Sequence, residues 1–269
     1  MKIILLVNKS DISPEGIYRI NKLHDTFNTK HELVLVQCKD VKQINLKRNF
    51  SNKLKNIKST SIINKFKNKL ISAIRYRITN KVKNKFGNFI LNKNIAYTRI
   101  NNNNINSVEV ENKLKELNPD LIVHISGDIL KENIYSIPIK GTINLHHGVL
   151  PYIRGLDSMY WGIYYKKESW VGATIHYIDD GVDTGEVILK RGYDYTNDKS
   201  LIETIVEIER LGTKLIISAI NMIDNHTNLT NKNNQTSNIK SIYRSRAPIK
   251  VILVVLFKIF FQRFRYKNK

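Results

Sequence analysis

Asn144 and His146 stand two residues apart in Gly141-Thr142-Ile143-Asn144-Leu145-His146-His147-Gly148. There, β-branched and apolar residues run into a polar cluster that Gly148 and Pro151 then turn, a pattern that predicts a buried strand ending in polar chemistry. Ligands of open α/β sheets bind at the carboxyl ends of strands, and alternate residues of a strand share a face. The amide and the imidazole are therefore expected on one side and Leu145 on the other. Side by side they can donate hydrogen bonds to one oxygen, which is what charge developing at a carbonyl requires. Asp183, in the later run Asp179-Asp180-Gly181-Val182-Asp183-Thr184-Gly185, supplies a carboxylate that can hold the imidazole and accept a proton. These are the parts of an acyl-type transfer site with no nucleophilic side chain. Taken singly, Asn144 and Asp183 also suit turn caps, and His146 a packed strand end. Adjacent residues of an extended segment point apart, so His146-His147 is not expected to bind a metal.

The order and spacing of these residues resemble the folate-dependent formyltransferases. Catalytic domains of that family carry an Asn-x-His pair at a strand end, a Leu-Pro-x-x-Arg-Gly loop and, further along, an Asp-x-Gly-x-Asp-Thr-Gly-like segment. The matching residues here are Asn144 and His146, Leu150-Pro151 with Arg154-Gly155, and Asp179 to Gly185. His147-Gly148 stands where the family commonly has Pro-Ser. The resemblance runs from about Asn118 to Arg191 and is most like the branch that formylates sugars. It implies a Rossmann-like, open, mainly parallel α/β sheet with flanking helices, and 10-formyltetrahydrofolate as co-substrate. By the same resemblance, Asn144, His146 and Asp183 are catalytic. Ser126, Gly127, Asp128, Ile129 and Leu130 wall the folate site through backbone groups, together with Asp179 and Asp180. Tyr152 and Arg154 lie towards the acceptor, where Arg154 contacts a phosphate or braces the loop.

The implied reaction is attack of a neutral primary amine on the formyl carbon. Asn144 and His146 stabilise the oxygen, while Asp183 favours protonated His146 and assists loss of the amine's proton. Among the family's acceptors, the expected one is a nucleotide-linked amino sugar of surface polysaccharide assembly. No alternating strands follow Asp224 to build the barrel carried by enzymes of initiator methionyl-tRNA, and a basic apolar tail suits a membrane face. Methionyl-tRNA and glycinamide ribonucleotide stay open as acceptors, because long basic additions also suit RNA. A reading of another class is a non-catalytic RNA- or membrane-binding protein, against which the intact Asn144, His146 and Asp183 set speaks.

A chain of 269 residues can bury one substantial core. Its single cysteine, Cys38, permits no intramolecular disulfide and fits a reducing compartment. The apolar opening Ile3–Val7 is shorter than the ~7–15 residue core of a secretory signal, so a cytoplasmic protein is expected, with a place on the inner face of the membrane as its variant. The net charge is +21. Sixteen Lys and Arg and no acid fall within 41–107, and ten and no acid after Asp224. Two basic additions to an acidic body point to a polyanion or an anionic membrane surface.

The expected organisation is a catalytic domain over 1–224 with a basic helical insertion at 41–107, a polar linker at 225–240 and a basic apolar segment at 241–269. Ile3–Val7, a helix through Ile17, Ile20, Leu23 and Phe27, and a strand at Glu32–Val36 form a β-α-β opening. It lacks the Gly-x-Gly-x-x-Gly turn of dinucleotide sites. Leu54, Ile57, Ile62, Ile63, Phe66, Leu70, Ile71 and Ile74 have helical spacing among basic residues, which fits a packed lid or hairpin, or a surface for membrane or nucleic acid. Helices are expected at 108–117, 159–165, with Trp161 in the core, and 201–223. Strands are expected at 120–125, 171–178 and 186–190, with His176 packed rather than catalytic. Ile249–Phe264 is too short to span a bilayer comfortably, leaving an interfacial helix or one docked on the domain.

Overall fold

Five parallel strands form the frame: β1 (Lys2–Val7), β2 (Glu32–Cys38), β3 (Ala96–Ile100), β4 (Leu121–His124) and β5 (Thr142–His146). Antiparallel β7 (Gly172–Tyr177) and β8 (Val187–Gly192) complete a sheet of order β3-β2-β1-β4-β5-β7-β8. The computed structural model describes residues 1–8, 12–38, 59–87, 90–196, 199–225 and 241–267. Nearly all of the expected linker at 225–240, and residues 41–58 of the basic insertion, lie outside them.

Alternation along the strands feeds two cores, as it must in a sheet covered on both faces. Ile3, Leu5, Val7, Leu33, Leu35 and Leu121 pack against Ile20, Leu23 and Phe27 of α1 (Pro14–Phe27) and Ile216, Ala219 and Ile220 of α6 (Leu201–Asp224). On the other face Ile4, Leu6, Val34, Val36 and Ile122 meet Val110 and Leu114 of α3 (Val108–Leu117) and Ile134 of the short α4 (Glu132–Tyr135). Each such side chain contributes about 1.5–3 kcal/mol on burial. Ser13 caps α1 ahead of Pro14, while Ser200 and Glu203 form a capping box on α6.

The basic insertion contains α2 (Ser59–Phe86), which packs on the body: Val82 and Phe86 join Val206 of α6, and Arg75 bonds Asp157 Oδ2 and the Ala247 carbonyl, both at 2.6 Å. The insertion was expected to be helical, yet its end is the edge strand β3. Its Ala-Tyr-Thr-Arg-Ile run is mostly exposed, so it lacks the apolar alternation that marks a strand facing a core. The described part of the segment at 241–269 packs on the body. β9 (Ile242–Arg244) pairs with β6 (Ile153–Gly155), and α7 (Ile249–Lys267) packs on α5 (Ser158–Tyr164). A three-residue strand leaves no periodic trace in sequence. Trp161 packs in that cluster and donates to the Ser245 carbonyl at 2.9 Å.

Candidate active site

A cavity of about 440 Å³ opens at the carboxyl ends of β4 and β5. Asn144 and His146 reach it from β5, Ser126–Leu130 from the turn after β4, Asp179 and Asp183 from the loop between β7 and β8, and Tyr243 from β9. Leu145 turns its side chain to α6, where a Cβ on Gly212 would come within 2.6 Å of it.

His146 is held at both ring nitrogens. Nε2 lies 3.0 Å from the Ile153 carbonyl, which can only accept, so Nε2 carries the hydrogen; Nδ1 lies 3.2 Å from Asp183 Oδ2. The loop after the ring leaves no room: a Cβ on Gly148 would sit 2.7 Å from His146 Nε2 and 2.9 Å from Ser158 Cβ. Gly148, where the family commonly has Ser, leaves that space to the ring. The fully buried Thr174 ties the loop to β7, donating to the Gly148 carbonyl at 2.7 Å and accepting from Leu150 N at 3.1 Å.

Asp183 sits in the left-handed region, with φ 52°. The preceding turn is set by Asp179 Oδ1, which accepts from Gly181 N at 3.1 Å and Thr184 Oγ1 at 2.6 Å. The Asp183 side chain is 13% exposed and accepts from Gly155 N at 2.8 Å. Burial alone pushes its pKa up. Hydrogen bonds from His146 and His176, the charge on His146 and the Gly155 N–H outweigh that and hold the carboxyl well below the usual carboxylate range.

His176 is buried, as expected of a packed strand residue, but it also joins the site. Its Nδ1 donates to the Tyr177 carbonyl at 2.7 Å, while Nε2 is 3.3 Å from Asn144 Nδ2 and 3.5 Å from Asp183 Oδ1. Nε2 serves either the Asp183 carboxylate as a donor or the Asn144 amide as an acceptor, and in both cases at least one Asn144 amide hydrogen is left for a ligand. Register explains the contact, since Asn144 is paired with His176 across β5 and β7. An alternating strand in sequence shows which residues share a face but not which strand lies opposite.

A second charged group borders the cavity. Glu209 bonds Arg19 at 2.7 Å and His147 at 2.8 Å. Burial pushes the Glu209 carboxyl up, but the charges on His147 and Arg19 outweigh this and bring it down to about 2. Glu15, His147, Asp157, Ser158 and Glu209 also line an adjoining cavity of about 260 Å³ beneath α2. The two adjacent histidines thus diverge, and among the described residues no three His, Cys, Asp or Glu side chains group as a metal site.

The sequence profile of the formyl transferase family matches residues 68–220, more than half of the chain. The chain belongs to this family. A methionyl-tRNA formyltransferase of Ehrlichia ruminantium is 31% identical over 119 residues, which cover 44% of this chain and 39% of that protein. The match therefore spans well under half of that relative's length. Among solved structures, glycinamide ribonucleotide transformylase 1 from Symbiobacterium toebii aligns with a TM-score of 0.54 at 12% identity, over 84% of this chain and 88% of its own. A sugar N-formyltransferase from a Shewanella species aligns with a TM-score of 0.50 at 16% identity, over 96% of this chain and 87% of its own. At such identities the likeness is one of fold, and the open, mainly parallel sheet agrees with it.

Within this formyl transferase fold, Asn144, His146 and Asp183 come together with His176 in one hydrogen-bonded group. Ser126, Gly127, Asp128, Ile129, Leu130 and Asp179 line the cavity, whereas Asp180, Tyr152 and Arg154 are not among its lining residues. Asp180 accepts from Tyr135 OH at 2.6 Å on the outer side of its turn. Arg154 is the middle residue of β6, paired with Tyr243, and its buried Nε has no hydrogen-bond partner among the described residues. Tyr152 receives Ile242 N on its carbonyl at 3.1 Å. Sequence reasoning missed Thr174, Glu209, Arg19 and Tyr243. Of these, Arg19 left a trace, as a charge on the buried face of α1 between Gly16 and Ile20.

Proposed function

We propose that the chain transfers a formyl group from 10-formyltetrahydrofolate to a primary amine. The observation that carries this reading is the Asn144–His146–Asp183–His176 group at the strand-end cavity. The cavity has the size of a small-molecule site. On its wall, the N–H groups of Gly127 and Asp128 have no hydrogen-bond partner among the described residues. A Cβ on Gly127 would meet nothing within 4 Å, so a flat heterocycle edge has both room and donors there.

The amine nitrogen forms a bond to the formyl carbon, charge passes to the formyl oxygen, and collapse breaks the bond to the folate nitrogen, which takes up a proton as tetrahydrofolate leaves. A free Asn144 amide hydrogen is available to that oxygen. His146, anchored at Nδ1 by Asp183, turns Nε2 from the Ile153 carbonyl to the same oxygen, as catalytic hydrogen bonds do when the substrate is bound. The ionised Asp183 holds the imidazole in place through Nδ1, and the proton that the amine loses passes to solvent. None of these steps needs a nucleophilic side chain.

The acceptor in this reading is the amine of a nucleotide-linked sugar, as used in surface polysaccharide biosynthesis. In its favour, the fold likeness extends over 96% of this chain for the sugar N-formyltransferase, against 84% for the ribonucleotide enzyme. The adjoining cavity beneath α2 adds space for a body larger than the amine. Glu15 faces both cavities with Oε2 buried and without a hydrogen-bond partner, a place for a donor such as an amine or sugar hydroxyl and an unfavourable one for a phosphate. The methionyl-tRNA reading is kept alive by the 31% identity to that relative.

The test is tetrahydrofolate release by the purified chain supplied with formyltetrahydrofolate and, separately, nucleotide-linked 4-amino sugars, glycinamide ribonucleotide and methionyl-tRNA. Turnover with an amino sugar alone is the expected result. Turnover with methionyl-tRNA alone overturns the acceptor assignment, and none with any amine overturns the transferase reading.

A further inference from the structure

α7 is apolar on two opposite sides, and among the described residues only one of them is packed. Val251, Ile252, Val255 and Ile259 are buried against Met159 and Ile163 of α5. Leu253, Phe257, Phe260, Phe261 and Phe264 are 49%, 62%, 66%, 45% and 61% exposed. At about 100° per residue, these five fall within an arc of about 100° whose centre is diametrically opposite the buried set. The face is continuous: the rings of Phe257 and Phe261 are 4.3 Å apart, and those of Phe260 and Phe261 5.7 Å apart. Half-exposed side chains of this size present on the order of 500 Å² of apolar surface, at the upper end of what a monomer leaves in water.

The helices that meet at this surface are basic. α7 contains no acidic residue, and Lys250 and Arg263 are exposed beside the apolar stripe. α2, whose Ile74 and Ile78 enter the same packed cluster, is likewise free of acids and exposes Lys69, Arg77 and Lys81. A second copy of the chain would bring like charges together, and no described helix is long and apolar enough to cross a membrane. We propose that the outer face of α7 seats the enzyme on an anionic phospholipid surface, with Leu253, Phe257, Phe260, Phe261 and Phe264 entering the acyl boundary and the flanking cations meeting headgroup phosphates. The helix lies flat in this arrangement, held from below by α5. The inference is independent of which amine is formylated, although a lipid-borne acceptor chemistry would place substrate and enzyme on one surface.

Sedimentation with vesicles tests it, using the full chain and the double variant Phe257→Ser, Phe264→Ser. Both side chains point to solvent, so the variant is expected to keep its far-ultraviolet dichroism and melting midpoint. Wild type should pellet with phosphatidylglycerol–phosphatidylcholine vesicles and stay in solution with phosphatidylcholine alone, with binding reduced about tenfold or more by the substitutions and weakened by added salt. Wild type remaining in the supernatant with anionic vesicles, or a folded variant binding as well as wild type, overturns the proposal. A wild-type dimer that the variant disperses, without vesicle binding, overturns it in favour of an interface between copies.

Discussion

Asp183→Asn keeps the size of the side chain and one oxygen to accept from Gly155 N, which lies 2.8 Å from the carboxylate. It removes the charge that faces His146 at 3.2 Å and His176 at 3.5 Å. Hydrogen bonds to charged groups contribute about 1.5–3 kcal/mol each, so losing two costs about 3–6 kcal/mol. If this is lost from the transition state, where His146 is charged, the turnover number falls ~10²–10⁴-fold, with much less change in apparent donor affinity. Folding is affected less, because the new amide can donate to Nδ1 of a neutral His146 already hydrogenated at Nε2. A loss of about 1–3 kcal/mol at neutral pH is expected. The sign of its pH dependence is fixed. The Asp183 carboxyl is depressed in the folded chain, so its stabilisation is complete above its unfolded pKa of ~3.9 and is lost as the pH falls from there towards the folded value. Urea midpoints of wild type and variant should therefore differ at pH 7 and converge below about pH 4. Tetrahydrofolate release within threefold of wild type, or a stability gap unchanged by acid, would refute the reasoning.

Two further substitutions separate positioning from stability. In Gly148→Ala the added methyl meets His146 Nε2 at 2.7 Å, so the ring must leave its place between Ile153 and Asp183. Turnover should fall ~10²-fold, from a displacement of about 1 Å, while the melting point moves by only a few degrees; unchanged turnover would mean that the ring's position is not critical. Glu209→Gln leaves Arg19, which is 5% exposed, without its carboxylate partner. A loss of about 3–5 kcal/mol in urea unfolding at pH 7 is expected. Because the Glu209 carboxyl is lowered to about 2, that contribution should fade between about pH 4 and pH 2.

The strand end bearing Asn144 and His146 was legible because a buried parallel strand must be apolar on both faces, so its first polar residues mark where the sheet meets solvent. Asp183 was legible through the glycines and threonine around it, which only a turn would collect. Helices α1, α3 and α6 were legible from apolar periodicity. β3 and β9 were not, the one an exposed edge strand and the other three residues long. His176 could be placed on a strand but not beside Asn144, because register is set by the pairing of β5 with β7. Burial alone would class it with the core, whereas its contacts put it in the site.

The least legible part is the division of labour between His146 and His147. Both leave the end of β5, and the extended backbone sends them to opposite sides: His146 to Asp183 at 3.2 Å, His147 to Glu209 at 2.8 Å. Each carboxylate has a second partner that fixes it, the Gly155 N–H for Asp183 and Arg19 for Glu209. The first pair borders only the strand-end cavity, and the second also the cavity under α2. The His146 ring can thus respond to the reacting oxygen while charge on the other side stays fixed by Arg19, whose guanidinium does not titrate. Exchange of His147 for Gln should on this account change apparent acceptor affinity more than turnover, whereas the same exchange at His146 should do the reverse. Equal effects of the two on both quantities would mean that the cavities do not act as separate donor and acceptor sides.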